Sequence, residues 1–120
     1  MLAQRLVNTE CKGCKERREG RKGEPCNRKK CIPRAVREIF HKAETPETAD
    51  ENFWREIAAR AVLDACGFVE SAEERDEAVK EGRKWFLDKN DADREEVFAL
   101  AGLDASGITM AIVDHIAKTQ

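Results

Sequence analysis

The chain has 120 residues, 41% of them hydrophobic and 38% charged, with a formal net charge of −2. That length suits one compact domain, or a small module attached to a larger one, and it excludes an elaborate multidomain enzyme. No run of about 18 apolar residues exists, which excludes a helical membrane span.

The charge is unevenly placed. Residues 1–45 hold 13 Lys/Arg against 6 Asp/Glu, and residues 46–120 hold 9 against 18, so a head of net +7 precedes a body of net −9. The split predicts two functional parts, a basic module over 1–45 suited to a polyanion and an acidic helical domain over 46–120 suited to protein contact or to solubility. The opening MLAQRLVNTE lacks the apolar stretch of a signal peptide. The expected compartment is therefore the cytoplasm, where thiols stay reduced and clustered cysteines favour metal over disulfides.

Within residues 1–10, Leu2, Leu6 and Val7 are candidates for packing on a neighbouring helix. The segment ECKGCKERREGRKGEPCNRKKC follows, with Cys11 and Cys14 two residues apart, eleven residues to Cys26, and four more between Cys26 and Cys31. Two close thiol pairs are metal-site spacing, each pair clasping one side of a tetrahedral ion. Gly13 lets the CKGC turn curl so that backbone amides point at the sulfurs. Apart from the four cysteines, residues 8–32 offer only Ile32 as a sizeable apolar side chain, so metal binding must supply the folding energy of this stretch.

The expected metal is Zn²⁺, in a structural role, because four thiolates fill the tetrahedron and leave no position for a reacting water. Two disulfides, an iron–sulfur cluster or four unrelated thiols are the alternatives, the cluster being disfavoured by nine Lys/Arg among the ligands. Pro25–Cys26 fits half of a zinc-deaminase signature, but that signature needs an upstream His-x-Glu and no His precedes His41. His41 itself reads as a surface or helix-end histidine, and Cys66 as a small buried residue rather than a nucleophile. No acid/base or nucleophile constellation points to an enzyme.

Lys12, Lys15, Arg17, Arg18, Arg21, Lys22, Arg28, Lys29 and Lys30 line the cysteine segment, and Arg34 and Arg37 follow it. A metal-pinned loop would hold these charges in a fixed array able to neutralise several phosphates. Glu16, Glu19 and Glu24 weaken the field, and a solvated charged loop is the plainer alternative. No aromatic residue lies in 1–39, so base stacking is not expected from this module. Phosphate contact, or insertion of the following helix into a major groove, is the expected mode.

Beyond Cys31 the chain reads as helices. Pro33 can open a helix over PRAVREIFHKA, with Ala35, Val36, Ile39 and Phe40 on one face. After the polar linker ETPETADE, Thr48 or Asp50 caps a helix whose Phe53, Trp54, Ile57, Ala61, Val62 and Ala65 recur at three-to-four spacing, stopped by Gly67. Ser71 with Glu74 forms a capping-box pattern opening a charged helix that buries Ala78, Val79, Trp85 and Phe86. Asp91 opens a short helix ended by Gly102. Asp104 or Ser106 starts the last, with Ile108, Ala111, Ile112, His115 and Ile116 along one face. The expected fold class is mainly α, a small four-cysteine zinc module followed by a bundle of four to five helices.

Three resemblances attach to these residues. DREEVFALAGLDASGITMAIVDHI, with Ala101, Gly102, Leu103 and Asp104 in its turn and Ile108 at a buried position, resembles the helix-turn-helix of DNA-binding regulators. Its would-be recognition helix has no Arg or Lys before Lys118 and carries Asp104 and Asp114, which favours an ordinary antiparallel helix pair. CKGC and CNRKKC are similar to the zinc finger of the Ogr/Delta family of phage late-transcription activators, which implies contact with RNA polymerase; the loop between the pairs is shorter here. Trp85–Phe86 followed by EEVFALAGLD looks like a pattern in small phage and prophage proteins. The expectation is a zinc-binding regulatory protein in nucleic-acid metabolism, touching nucleic acid through the basic module and a protein, such as polymerase or its own copy, through the helical body. A protein-binding adaptor or inhibitor is the rival.

Overall fold

Six α-helices and no strand make up the residues described by the computed structural model, which are 2–8, 32–43, 45–69, 71–88 and 92–119. In chain order they are α1 (Leu2–Asn8), α2 (Arg34–Lys42), α3 (Ala49–Ala65), α4 (Arg75–Leu87), α5 (Ala92–Leu100) and α6 (Ala105–Thr119). Five helices thus follow Pro33, and α1 precedes the cysteine segment.

Local chemistry sets most of the ends. Thr48 caps α3, its Oγ1 accepting from the Glu51 amide at 3.0 Å, and Asp50 and Glu51 lie favourably in that first turn. Asp104, not Ser106, caps α6, its Oδ1 accepting from the Gly107 amide at 3.1 Å. Pro33 directly precedes α2, and its carbonyl accepts from the amides of Val36 and Arg37. At the ends of α3 and α5, Gly67 (φ 88°) and Gly102 (φ 72°) take the left-handed conformation. In both turns the following amide bonds back five residues, Phe68 to the Leu63 carbonyl and Leu103 to the Phe98 carbonyl, each at 2.9 Å.

Helix α3 runs through the centre, packed by α1, α4 and α5, while α6 packs on α2, α4 and α5, and α1 meets α2. The face α3 turns inward is built from small residues, Ala58, Ala59 and Ala65, together with Val62, Leu63 and Cys66. Small side chains let α4 approach closely: a Cβ added to Gly82 would stand 3.0 Å from the Ala65 amide nitrogen. Phe98 of α5 lies against the rings of Trp85 and Phe86, with centroids 5.9 and 6.1 Å away, which ties α5 to the end of α4. Leu6 of α1, Ile32, and Val36 and Phe40 of α2 belong to the same apolar core as Leu63, Phe98, Ile108, Ile112 and Ile116. The described parts of 1–45 and of 46–120 therefore share one core.

Several expectations are corrected. Phe53 and Ile57 are 58% and 37% exposed, because α3 carries two apolar stripes and the alanine-rich one faces the core. Ala35 is exposed on α2, where Val36 and Phe40 face inward and Ile39 is half-buried. Ser71 does not open α4: residues 72–74 form a turn, the helix begins at Arg75, and no side chain caps it. That start places Asp76 and Glu77 in the first turn, at the positive end of the helix dipole. On α4 only Phe86 is fully buried, with Ala78, Val79 and Trp85 half-covered. His115 is buried on α6 as its spacing implied.

Candidate functional site

The candidate zinc ligands Cys11, Cys14, Cys26 and Cys31 lie outside the described residues, as do Lys12, Lys15, Arg17, Arg18, Arg21, Lys22, Arg28, Lys29 and Lys30. What the structure shows is how the ends of that stretch are mounted. The chain leaves α1 at Asn8, three residues before Cys11, and re-enters the core at Ile32, the residue after Cys31. Leu6 has no exposed surface and Ile32 is 2% exposed. Since α1 also packs on α2, both ends of the cysteine stretch are fixed in one apolar core.

Arg34 and Arg37 occupy the first turn of α2, which contains no acidic residue. This placement opposes ordinary helix preference, because cations there meet the positive end of the helix dipole. Arg34 is exposed and shares its Nε with Glu38 Oε1 at 3.0 Å. Arg37 is half-buried, and its Nε is enclosed without a hydrogen-bond partner among the described residues. Lys42 carries exposed positive charge to the other end of α2, where His41 is also exposed. The start of α2, which follows Ile32 and Pro33, thus combines two cations with the positive end of the helix dipole.

The C-terminal pair has the form of helix, turn and helix, with Ala101–Asp104 between α5 and α6. The outward face of α6 carries Ser106, Met110 and Ala117, with Thr109 and Val113 half-buried beside them. Met110 is 72% exposed. The one Lys or Arg on α6, Lys118, is engaged by Asp114 at 2.9 Å. Such a face offers apolar contact and, apart from the ion-paired Lys118, no cation to phosphate.

Three buried or half-buried arginines, Arg55, Arg83 and Arg94, do structural work at helix ends. Each crosses to the C-terminal end of another helix and donates to carbonyls that the helix leaves unpaired. Arg55 Nε reaches the Ala101 carbonyl beyond α5 at 3.1 Å, and its Nη2 meets Glu51 at 3.1 Å. Arg83 Nε reaches the Ala65 carbonyl at 3.1 Å, and its Nη2 donates to Thr119 Oγ1. Arg94 Nη1 donates to the carbonyls of Trp85, Phe86 and Asp88 at 2.7, 3.2 and 2.6 Å. A signal was present in the sequence: Arg55 with Ala58, Ala59 and Val62, and Arg94 with Val97, Phe98 and Ala101, each open an apolar i, i+3, i+4, i+7 face. A charge at that position must find a partner inside.

Cys66 is buried, and desolvation pushes its thiol up to about 12 despite the opposing charge of Arg83. A thiol held protonated in this way is a packing group, not a poised nucleophile. Burial also raises the Asp64 carboxyl above its usual range, against the attraction of Arg60 at 3.3 Å. Among the described residues no group of three or more His, Cys, Asp or Glu is placed to hold a metal ion, and no helix is long and apolar enough to cross a membrane. Comparison with protein families, with characterised proteins and with solved structures finds no match.

Proposed function

We propose that the chain is a small zinc-binding regulatory protein whose basic cysteine module contacts nucleic acid and whose helical body contacts a protein partner. The observation that carries this reading is the pairing of Cys11/Cys14 with Cys26/Cys31 inside a run of nine Lys/Arg. In it, Cys11, Cys14, Cys26 and Cys31 hold a structural Zn²⁺ and fix the surrounding cations as one array. Arg34 and Arg37 continue that array onto the start of α2, where the helix dipole adds to their attraction for phosphate. Two cations placed against the dipole preference cost stability locally, a pattern that fits a binding role.

For the protein partner, the supporting features are apolar surfaces on an otherwise charged molecule: Phe53 with Ile57 on α3, and Met110 on α6. The similarity of CKGC and CNRKKC to the Ogr/Delta zinc finger makes transcription machinery, in a phage setting, the first partner to test. The reading assigns no catalytic residue.

The test is binding to duplex DNA and to RNA across a salt series. Affinity should fall steeply with salt, and reversing Arg28, Lys29 and Lys30 to Glu should weaken it and flatten the salt slope. Absence of binding at low salt, or unchanged affinity after the reversal, favours the rival, an adaptor that binds protein without touching nucleic acid. Capture from lysate with and without nuclease then separates a protein partner from one bridged by nucleic acid.

A further inference from the structure

We propose that the outward face of α6 is a self-association surface, on which the α6 of a second copy of this chain lies antiparallel. The proposal rests on the protein-contact half of the proposed function and deepens it by naming the partner and the face.

The inward face of α6 is taken up by the fold, with Ile108, Ile112, His115 and Ile116 buried where the helix packs on α2, α4 and α5. The opposite face carries Ser106, Met110 and Ala117, all exposed, and the half-buried Val113. Their spacing of four, three and four residues is that of a seam along which one helix meets another. No charged side chain stands in it, and Met110 at its middle is 72% exposed. Helix α4 makes the contrast, with Lys, Arg, Asp or Glu at seven of its 13 positions. Among the 15 residues of α6 only Asp114 and Lys118 are of these types, and they pair with each other at 2.9 Å. Two copies can therefore meet along α6 without setting the acidic residues of their bodies against one another.

The seam is complementary to itself in antiparallel order. With a two-fold axis between Ala111 and Ile112, Met110 of each copy lies beside Val113 of the other, and Ser106 beside Ala117. Small side chains at both ends let the helices approach closely. The same order brings Lys118 of one copy within one residue's rise, about 1.5 Å along the axis, of the level of Asp104 in the other, at both ends of the contact. Parallel order would instead set Lys118 level with Lys118 and Asp114 level with Asp114. Antiparallel order also lays the positive start of each helix beside the negative end of its partner. Charge thus selects the antiparallel pair. Four seam side chains per copy fall far short of the roughly 20–30 residues a side of a standard interface, so the dimer is weak and reversible, with a dissociation constant of roughly 10 μM to 1 mM.

The experiment is sedimentation equilibrium of the full chain under reducing conditions, without nucleic acid, at concentrations spanning that range. The mean mass should climb from that of the 13.6 kDa monomer towards twice that value. Met110→Glu and Ala117→Glu, each at an exposed position of the seam, should raise the dissociation constant roughly ten-fold or more by burying like charges in the contact. Phe53→Glu, on the exposed side of α3, should leave it unchanged, and thermal melts of the three variants check that the fold is kept. A chain that stays monomeric at the highest concentration, or a dimer that both seam variants leave intact, overturns the proposal. If such a monomer captures another protein from lysate, the self-contact is wrong and the wider protein-contact reading stands; if it captures none, both fall.

Discussion

Arg55 crosses from α3 to the far end of α5, where its Nε donates to the Ala101 carbonyl at 3.1 Å while Glu51 holds its Nη2 at 3.1 Å. The guanidinium is buried, so it stands in for water at a helix end that the core has covered. Removing it leaves that carbonyl and the Glu51 carboxylate without their partner. An Arg55→Ala variant is expected to lose about 2–3 kcal/mol of unfolding free energy. Urea denaturation reads this as a lower midpoint at unchanged slope. A midpoint within error of the parent would show that the bond contributes nothing net.

Gly82 sets a second expectation, opposite in sign to helix propensity. On an exposed helix, Gly→Ala gains about 1 kcal/mol. Here the added Cβ would sit 3.0 Å from the Ala65 amide nitrogen and 3.3 Å from the Asp64 Cβ, against backbone that has little room to yield. Overpacking of this kind costs about 1–3 kcal/mol, so Gly82→Ala should lower the melting temperature. A rise would mean that α3 and α4 are free to move apart.

Cys66 should be chemically silent in the folded chain. Its thiol is pushed up to about 12, so below pH 9 almost none of it is thiolate. The folded state binds the thiol proton more tightly than the unfolded state does. This contribution is complete below the ordinary thiol value and is lost as pH rises from about 9 towards 12. Alkylation at pH 8 with peptide mapping should leave Cys66 unmodified until denaturant is added. Modification under native conditions would contradict the packing that buries it.

If phosphate contact belongs to the basic module and not to the C-terminal helix pair, charge changes at the two places must behave differently. Lys118 is engaged by Asp114, and the remaining outward face of α6 is uncharged. Lys118→Glu should therefore leave nucleic-acid affinity and its salt slope unchanged, whereas Arg34→Glu should weaken binding at low salt. Fluorescence anisotropy with a labelled duplex reads both. The reverse ranking would move the interface to α6.

What the sequence disclosed and what it hid divide along a physical line. Features settled by neighbours in the chain were legible: Thr48 as a cap, Gly67 and Gly102 as stops, and the apolar face of α6 through Ile108, Ile112, His115 and Ile116. Features decided by competition between distant elements were not. Phe53 and Ile57 recur at the same helical spacing as Ala58, Ala59 and Val62, and the packing of α1, α4 and α5 on α3 decides that the alanine side is the buried one. Ser71 and Glu74 satisfy a capping pattern, yet α4 starts at Arg75. The cysteine spacing is local and readable, and its mounting between Leu6 and Ile32 is a property of the fold.

The measurement that bears most directly on the account is metal content. Protein purified under reducing conditions should carry about one zinc ion per chain by elemental analysis, and Cys26→Ser should lose most of it, since three thiolates leave the tetrahedron open. Well under one ion per chain in the parent, or a Cys26→Ser variant that keeps a full complement, would contradict a four-cysteine site and remove the support for the basic array built on it.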